Sequence, residues 1–489
     1  MTTSLPSELY SVEQVRQAEI AACKAQEKEL YQLVEKAGLS AFDILMPQLT
    51  QNDKVIVLVG NGNNGADGLV LARLLDEKNI DTQVMGLQKP TTSSEFQQAK
   101  QLFEQQGGEV LSIVAEQLTE ADYLIDAMFG TGLTRPLSAE FESLIQGINQ
   151  CKAKVISLDV PSGINADTGY ATLAVEAVTT LCFGALKQGL FTYKARQYCG
   201  EIVLTDIGLQ PYLPQADTQR VDCHYLDGIM TKRSRYAHKG DSGKVAVVGG
   251  DVGMSGAVRL CSEASLRAGS GLVSVVSRPE NQSVVVGGCP ELLFCPAEFV
   301  DMEVYQRLGW ATALVLGPGL GRHDWGLNLF KATMLSERPL VIDADGLNIL
   351  SRQPQKQSHW VLTPHAVEAA RLLDCKVEAV NADRFKAARD IQRKYGGVVV
   401  LKGAGTIIDD GTQTFVAAVG NPGLASGGCG DVLAGIIGAL MAQGFTSIKA
   451  AIAGVVVHGC AADIAAQEGE RGMLASDLLL PIRQLVNQI

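Results

Sequence analysis

The chain has 489 residues, several times the size of a usual domain, so we expect at least two separately packed cores. Apolar residues make up 46% of the sequence and charged residues 19%, which excludes a disordered chain and predicts a compact one. The net charge of -12 repels polyanions at long range and argues against nucleic acid as a partner.

The eleven cysteines form no Cys-x-x-Cys pair, so the sequence predicts neither a zinc ribbon nor a disulfide framework, as is typical of a reducing compartment. Glu8 and Glu13 precede the first apolar run, where a secretory signal would carry a basic start. The apolar stretches 432–441 and 450–457 are too short to span a bilayer and predict buried helices. We therefore expect a cytoplasmic protein with no membrane partner.

In the first half, apolar residues at helical spacing predict helices between residues 10 and 38. A buried strand follows at 55–60, then a glycine and asparagine loop and a helix at 69–75. Helical stretches alternate with further predicted strands, which indicates a parallel sheet covered on both faces. Those strands are residues 121–125, 155–160, 178–183 and 202–204.

Between residues 209 and 235 the periodicity fades around Pro211 and Pro214, which predicts a linker before a second α/β domain. Gly411 between two β-rich segments predicts a hairpin within residues 403–419. We place the first domain at residues 1–215 and the second at 225–489. The predicted strands of the second domain are 245–249, 272–276, 313–316, 340–343, 360–363 and 398–401.

The loop GNGNNGADG (residues 60–68) lies between a predicted strand and a helix, where backbone amides converge on a phosphate. A glycine-rich turn with a purely structural role is the alternative, although Asn63 and Asn64 add carbonyl oxygens that a steric turn does not need. Asp126 lies at a second strand end, and Asp159 with Ser162 at a third. Singly such aspartates are often helix caps, but together at one sheet edge they indicate a ligand site.

These loops resemble the epimerase domain of the bifunctional NAD(P)H-hydrate repair enzymes, over the length of the first domain. The resemblance implies a doubly wound, Rossmann-like domain in which Asp159 is the acid/base at the hydrated ring. Ala66 departs from the glycine that is usual in the family. The resemblance also implies a potassium ion held by Asn64, Asp126 and Ser162, and substrate contacts from Asn63, Asn64, Gly65, Ala66, Asp67, Gly130, Thr131, Gly132, Leu133, Thr134, Arg135, Pro136 and Asp159.

The string NPGLASGGCGDVLAGIIGAL (residues 421–440) places glycine amides and Asp431 at the start of an apolar helix. Amides there can neutralise a migrating phosphoryl group while the carboxylate accepts a hydroxyl proton. The alternative is that Asp431 is an ordinary helix cap beside a tight turn.

This string resembles the ribokinase-like fold. The motifs HKGDSGKVAVVGG, GPGLGR, DADGLN, TPH and LKGAGT narrow the resemblance to the ADP- or ATP-dependent NAD(P)H-hydrate dehydratase domain. It implies that Asp431 takes the proton from the ring hydroxyl, which is then phosphorylated and eliminated, with magnesium accompanying the nucleotide. Alanine and valine after His365, and Cys429, depart from the usual pattern. The remaining implied contacts are Ala257, Gly319, His365 and Asp431 with substrate, and Lys402, Gly403, Ala404, Gly405, Thr406 and Gly430 with nucleotide.

The residues alone leave several alternatives open. His365 is equally well a satisfied structural residue, and Lys402 a solvent-facing one. Asp343 and Asp345 either help to hold magnesium through water or cap the next turn. The function itself has two rivals: a ribokinase-like small-molecule kinase fused to a nucleotide-binding module, and a chain whose first domain only scaffolds the second. The expected partners are NADHX, NADPHX and ADP or ATP, and we expect a homo-oligomer.

Overall fold

The structure is a computed structural model that describes residues 5–87, 93–133 and 137–487, without the side chain of residue 115. The chain divides into two compact units, Met1–Thr218 and Gln219–Ile489. Each unit contains its own β-sheet with helices packed against it, and each is described by itself below.

The first unit is an α/β unit with a seven-stranded parallel sheet. Its helices are α1 (Val12–Gln26), α2 (Tyr31–Leu45), α3 (Asn63–Asp76), α4 (Ser94–Gln105), α5 (Ala139–Gln150) and α6 (Ala195–Tyr198). Strand β1 (Glu8–Leu9) lies outside this sheet. The seven strands of the sheet are β2 (Lys54–Val59), β3 (Asp81–Gly86), β4 (Val110–Ser112), β5 (Tyr123–Ala127), β6 (Lys154–Leu158), β7 (Thr179–Phe183) and β8 (Glu201–Thr205).

The sheet order is β4-β3-β2-β5-β6-β7-β8, so the chain reverses its direction of winding between β2 and β5. In such a Rossmann-like sheet ligands bind beyond the carboxyl ends of the strands at this reversal. Strand β2 shows why both faces are covered: Val55, Val57 and Val59 belong to one hydrophobic cluster, and Ile56 and Leu58 to another. The predicted parallel sheet with helices on both faces is confirmed.

Two strands of this sheet, β3 and β4, were not predicted. Strand β3 begins with three polar residues, and β4 has only three residues. Neither segment has the continuous apolar run that marks a strand buried on both faces. Their pairing with β2 and with each other stabilises them instead.

The second unit has strands β9 (Thr218–Val221), β10 (Lys244–Val248), β11 (Leu272–Ser277), β12 (Leu293–Pro296), β13 (Ala313–Leu316), β14 (Leu340–Ile342), β15 (Trp360–Leu362), β16 (Val398–Leu401), β17 (Ile407–Asp409) and β18 (Thr414–Ala417). Their order is β9-β18-β17-β16-β15-β14-β13-β10-β11-β12. The strands from β16 to β12 in this order are parallel, whereas β17 pairs antiparallel with both of its neighbours, which confirms the predicted hairpin.

The helices of the second unit are α7 (Ser255–Arg267), α8 (Gln282–Gly288), α9 (Met302–Trp310), α10 (Asp324–Met334), α11 (Ala344–Arg352), α12 (Ala366–Leu373), α13 (Val377–Ala382), α14 (Arg384–Tyr395), α15 (Cys429–Ala442), α16 (Ser447–Ala465) and α17 (Leu479–Leu485). Glycines allow close packing around α15: Gly435 lies against Cys261 of α7, and Gly438 against Val315 of β13.

Residues 450–462 of α16 are buried in the core, as predicted for the apolar stretch 450–457. Among the described residues, one segment, Ser447–Glu468, is long and apolar enough to span a membrane, so the expectation that this stretch is too short was wrong. Most of the segment is buried inside the unit, as expected of a core helix.

The predicted linker at residues 209–235 is not irregular throughout. Strand β9 lies within it, and the backbone of Ala418 donates a hydrogen bond of 2.8 Å to Val221. A disulfide between Cys223 and Cys460 joins the segment after β9 to α16, a cross-link that the scattered cysteines did not predict. The sequence signal for β9 is weak because the strand is short and partly polar, and its stability depends on this long-range pairing.

Candidate active sites

The glycine loop between β2 and α3 packs closely against the end of β5. A methyl group on Gly65 would lie 2.0 Å from the carbonyl oxygen of Gly60, and one on Gly60 would lie 1.8 Å from that of Met128. Both positions therefore need glycine. The methyl group of Ala66, in contrast, is fully buried in the hydrophobic core, so this departure from the family pattern fills core space.

Asp126 and Ser162 meet at the carboxyl ends of β5 and β6. The carboxylate of Asp126 accepts hydrogen bonds from the Ser162 hydroxyl (2.6 Å), the Ser162 amide (2.8 Å) and the Ser157 hydroxyl (2.9 Å). Burial raises the pKa of Asp126, and these hydrogen bonds partly offset the effect. Asp126 and Ser162 are therefore neither exposed turn residues nor helix caps.

Asn64 is 8% exposed, and neither Oδ1 nor Nδ2 finds a hydrogen-bond partner among the described residues. Such an orphaned amide is unusual in a folded protein and indicates a site for a ligand, a water or an ion. A methyl group on Gly130 would lie 3.2 Å from Asn64 Cβ and 3.6 Å from Asp159 Oδ2. Asn64, Gly130 and Asp159 therefore line one space.

Asp159 forms an ion pair with Lys187, a residue that the sequence analysis missed. The Lys187 side chain is only 2% exposed and also donates to the carbonyl oxygen of Phe183 (3.0 Å). Asp159 has a positive φ of 62°, a conformation that is strained for a non-glycine residue and that clusters at functional sites as well as in turns.

Two further carboxyl groups lie near this pair. Burial is the main cause that raises the pKa of Asp67 well above its usual range, and the charges of Asp159 and Glu19 add to it. Glu19 is on α1, outside every motif, and burial raises its pKa too. The predicted contact residues Gly130, Thr131, Gly132 and Leu133 lie between β5 and α5, whereas Thr134, Arg135 and Pro136 are outside the described residues.

In the second unit, Asp431 lies in the first turn of α15, after Gly428 with a φ of 93°. Burial and then the charge of Asp343 raise the pKa of Asp431 to about 7, against the opposing effect of Lys402. The Lys402 ammonium donates to Asp343 Oδ1 at 2.7 Å. A methyl group on Gly430 would lie 3.3 Å from Lys402 Nζ, so these groups surround the start of the helix.

Lys402 is therefore not a solvent-facing residue, and Asp343 does not cap α11 with its side chain. Asp345 holds two neighbouring segments together, since it accepts from the amide of Gly321 (3.0 Å) and the side chain of Asn348 (3.2 Å).

The loop after Lys402 is supported by Arg384, which the sequence analysis also missed. Arg384 is 2% exposed and donates to the carbonyl oxygens of Leu401 (3.0 Å) and Lys402 (3.2 Å). Gly403 and Gly405 have positive φ angles of 150° and 61°, and the hydroxyl of Thr406 donates to the carbonyl of Gly403 (3.1 Å). The loop is thus a compact turn at the carboxyl end of β16.

His365 caps helix α12. Its Nδ1 accepts from the amides of Val367 (3.1 Å) and Glu368 (3.3 Å), and the Glu368 carboxylate accepts from the His365 amide (2.9 Å). Nδ1 of His365 therefore has a structural role as a helix cap. Half of the His365 side chain is still exposed. Burial raises the pKa of Glu368 to about 7. The sequence analysis did not single out Glu368, although the His-x-x-Glu spacing of a capping box could have identified it.

Ala257 and Gly319 are neighbours, since a methyl group on Gly319 would lie 3.4 Å from Ala257 Cβ. Ala257 lies on α7. Leu260 of the same helix packs against Gly428, the residue that precedes α15. Gly317 packs against the backbone of Asp343. The loop that carries Gly319 therefore lies beside Asp343, which forms the ion pair with Lys402.

These arrangements define a class of protein. A carboxylate and an ammonium group beside glycine amides at a helix start, on a largely parallel sheet, are suited to transfer a phosphoryl group. The first unit adds a Rossmann-like sheet with an acid/base cluster. The chain is a two-unit α/β enzyme with a ribokinase-like second unit.

Comparison with known proteins identifies the family. Residues 245–484 match the family described as NAD(P)H-hydrate dehydratase, and residues 30–189 match the YjeF-related protein N-terminus. The bifunctional NAD(P)H-hydrate repair enzyme of Coxiella burnetii is 43% identical over 98% of this chain and 99% of its own. That of Escherichia coli is 38% identical over 99% and 95%. The chain belongs to the family of bifunctional NAD(P)H-hydrate repair enzymes.

Among solved structures, a ribokinase-like superfamily protein from Enterococcus faecalis is 26% identical to this chain with a TM-score of 0.52. It covers 56% of this chain and 96% of its own length. This similarity supports the predicted fold of the second unit.

Proposed function

We propose that residues 1–215 interconvert the R and S epimers of hydrated NADH and NADPH, and that residues 225–489 dehydrate the S epimer with ADP or ATP. The observation that carries the proposal is the position of Asp431: a half-buried carboxylate with a pKa of about 7, beside the Lys402 ammonium and the amide of Gly430. A base with this pKa is half ionised near neutral pH, where proton abstraction is most efficient.

In the dehydration, Asp431 removes the proton from the ring hydroxyl group, and the oxygen attacks the terminal phosphorus of the nucleotide. The bond to the leaving AMP or ADP breaks, and Lys402 with the glycine amides at the start of α15 stabilises the developing charge. The ring nitrogen then expels phosphate from the carbon, and loss of a proton from the adjacent carbon restores the double bond. Ala257, Gly319 and His365 contact the substrate, and Lys402 to Thr406 with Gly430 contact the nucleotide.

Magnesium is expected with the nucleotide. The hard carboxylate oxygens near Gly430 fit this ion, and Asp343, whose Oδ2 faces Gly430, is placed to hold it through water. Both carboxylate oxygens of Asp345 already accept hydrogen bonds, so we assign that residue to the loop structure. The ion would neutralise charge on the phosphates.

In the epimerisation, the ring nitrogen expels the hydroxyl group as water after it receives a proton, and a water molecule then adds to the opposite face. Asp159 carries the proton to and from the oxygen, with Asn63 to Asp67 and Gly130 to Pro136 around the substrate. The orphaned amide of Asn64 near the Asp126–Ser162 pair supports a potassium site. Carbonyl and hydroxyl oxygens with a single carboxylate fit a weakly hydrated monovalent cation, which would bind anionic and carbonyl groups of the substrate.

The decisive experiment follows the absorbance of reduced nicotinamide when hydrated NADH is incubated with the protein and ADP or ATP. We expect complete recovery of the chromophore from a mixture of epimers. In Asp431→Asn recovery should be lost, and in Asp159→Asn it should stop once the S epimer is consumed. A stable phosphorylated product without recovery would instead favour the small-molecule kinase, and full recovery by Asp159→Asn would favour a scaffold role for the first unit.

The potassium proposal has its own test. Epimerisation by the wild-type chain should depend on added potassium and decline when choline replaces it, whereas Asn64→Ala should respond little to either salt. Dehydration of the S epimer by the same samples is the control, because it takes place in the other unit. Equal rates with both cations in the wild type would contradict the assignment.

We also propose that the protein is a cytoplasmic homo-oligomer whose partners are NADHX, NADPHX and the nucleotide, with neither nucleic acid nor membrane among them. Light scattering of the purified chain and fractionation of cells test these points. A monomer over the physiological concentration range would contradict the first of them.

A further inference from the structure

Lys187 is a charged group in a place where charge is costly. Its side chain is 2% exposed, and its ammonium donates to Asp159 Oδ1 and to the carbonyl oxygen of Phe183. An ammonium that is removed from water loses its hydration and persists only with good partners. The buried ammonium of Lys187 therefore needs the Asp159 carboxylate as its partner, and that carboxylate in turn is held by Lys187.

The ion pair uses one side of the carboxylate. Oδ1 of Asp159 accepts from both the Lys187 ammonium and the amide of Phe183 (3.4 Å). Oδ2 lies on the other side, 3.6 Å from where a methyl group on Gly130 would be, and so faces the space that Gly130 shares with Asn64. The carboxylate thus has one oxygen bound to the protein and one directed at the proposed ring site.

The backbone supports the same orientation. The amide of Asp159 donates to Leu181 (2.7 Å), and the thiol of Cys182 donates to the carbonyl oxygen of Asp159 (3.4 Å). These contacts hold the residue at its positive φ, so the carboxylate cannot relax to an ordinary extended conformation without losing them.

We propose that Lys187 is a positioning residue for the epimerisation: its ammonium fixes Oδ1 of Asp159 and thereby directs Oδ2 at the hydroxyl group of the hydrated ring. The inference rests on the proposed role of Asp159. The charged and titratable groups that face the pair are Glu19 from α1, Asp67 from α3 and Cys182 from β7.

The test compares Lys187→Met and Lys187→Arg in the full chain, with Lys36→Met as the matched control. Lys36 lies in the same unit and its ammonium donates to the carbonyl of Ile207 (3.1 Å), away from Asp159. Epimerisation is measured as kcat and KM, and dehydration of the S epimer by the same samples reports an intact second unit.

For Lys187→Met we expect kcat of epimerisation to fall by about 100-fold with KM changed by less than about threefold, the scale of a misplaced acid/base group. Lys187→Arg should recover part of kcat, and Lys36→Met should match the wild type in both kcat and KM.

Wild-type kcat in Lys187→Met would overturn the inference. So would a loss of kcat that Lys187→Arg does not recover, since that pattern belongs to a structural ion pair. If Lys187→Met does not fold, kcat and KM of Lys187→Arg decide the question alone. A fully active Asp159→Asn would instead refute the proposed function, whereas an inactive Asp159→Asn beside a normal Lys187→Met refutes only the role of Lys187.

Discussion

The Lys402 ammonium and the Asp343 carboxylate form an ion pair of 2.7 Å directly beside Gly430, the residue before Asp431. The two charges act on Asp431 in opposite directions: Asp343 raises its pKa and Lys402 lowers it. The ion pair thus helps to set the pH at which the proposed base is ionised.

Lys402→Met and Asp343→Asn should therefore shift the acid limb of the dehydration rate in opposite directions. In the wild type the dehydration rate should rise with pH around pH 7, where Asp431 loses its proton. This rise should move to higher pH in Lys402→Met, which removes the charge that lowers the pKa, and to lower pH in Asp343→Asn, which removes the charge that raises it. The measurement is kcat against pH at saturating nucleotide. Lys386→Met, which removes an exposed lysine of the same unit, is the control and should leave the limb in place. Shifts in the same direction would contradict this account of the site.

Asp431→Asn should abolish dehydration and yet stabilise the protein at high pH. The folded protein retains the proton of Asp431 up to about pH 7, whereas an unfolded aspartate releases it near 3.8. The folded state then binds more protons between these values, so the contribution of Asp431 to stability falls as pH rises through this window.

The variant lacks this titration, and we expect its free energy of unfolding to exceed that of the wild type by about 1–3 kcal/mol at pH 8. The difference should vanish near pH 3.5, where the carboxyl group is protonated in both states. Urea unfolding at the two pH values measures it. A lower stability of the variant at pH 8 would show that the carboxylate is not destabilised by burial.

Gly65→Ala should inactivate the epimerase and spare the dehydratase. A methyl group there would lie 2.0 Å from the carbonyl oxygen of Gly60, so the loop or the start of α3 must shift. Gly62→Ala is the matched control, because nothing lies within 4 Å of a methyl group at that position and its φ of -112° suits any residue. We expect epimerisation to fall by at least about tenfold in the first variant only, since displacements near 1 Å have effects of this order or larger.

Reduction of the Cys223–Cys460 disulfide should lower the stability of the second unit without changing the chemistry at Asp431. The bond joins residues 237 positions apart, and a cross-link of this kind contributes about 2–4 kcal/mol by restricting the unfolded chain. Cys223→Ser should lose stability by this amount under oxidising conditions and lose nothing in the presence of a reductant. Cys375→Ser, which removes an exposed free cysteine, should behave as the wild type in both.

Much of the fold was predictable from local sequence. The apolar runs that became β2, β5, β6, β10, β13 and β16 are buried on both faces in the structure, and such runs indicate a strand whatever its neighbours are. The glycine loops were equally visible, because residues such as Gly65 and Gly428 are required by local backbone geometry. Strands β3, β4, β9 and β12 were missed because they are short or polar and form through pairing with distant strands.

The candidate sites divide in the same way. The sequence by itself determined where Asp126, Asp159 and Asp431 lie along the chain, because each stands at the end of an apolar run or at the start of a helix. Only the tertiary structure decided their partners: Lys187 and Glu19 lie outside every motif, and Lys402 reaches Asp343 across 59 positions of sequence. The physical reason is that hydrogen bonding and desolvation of a charged group depend on what surrounds it in space, which the order of residues along the chain does not express.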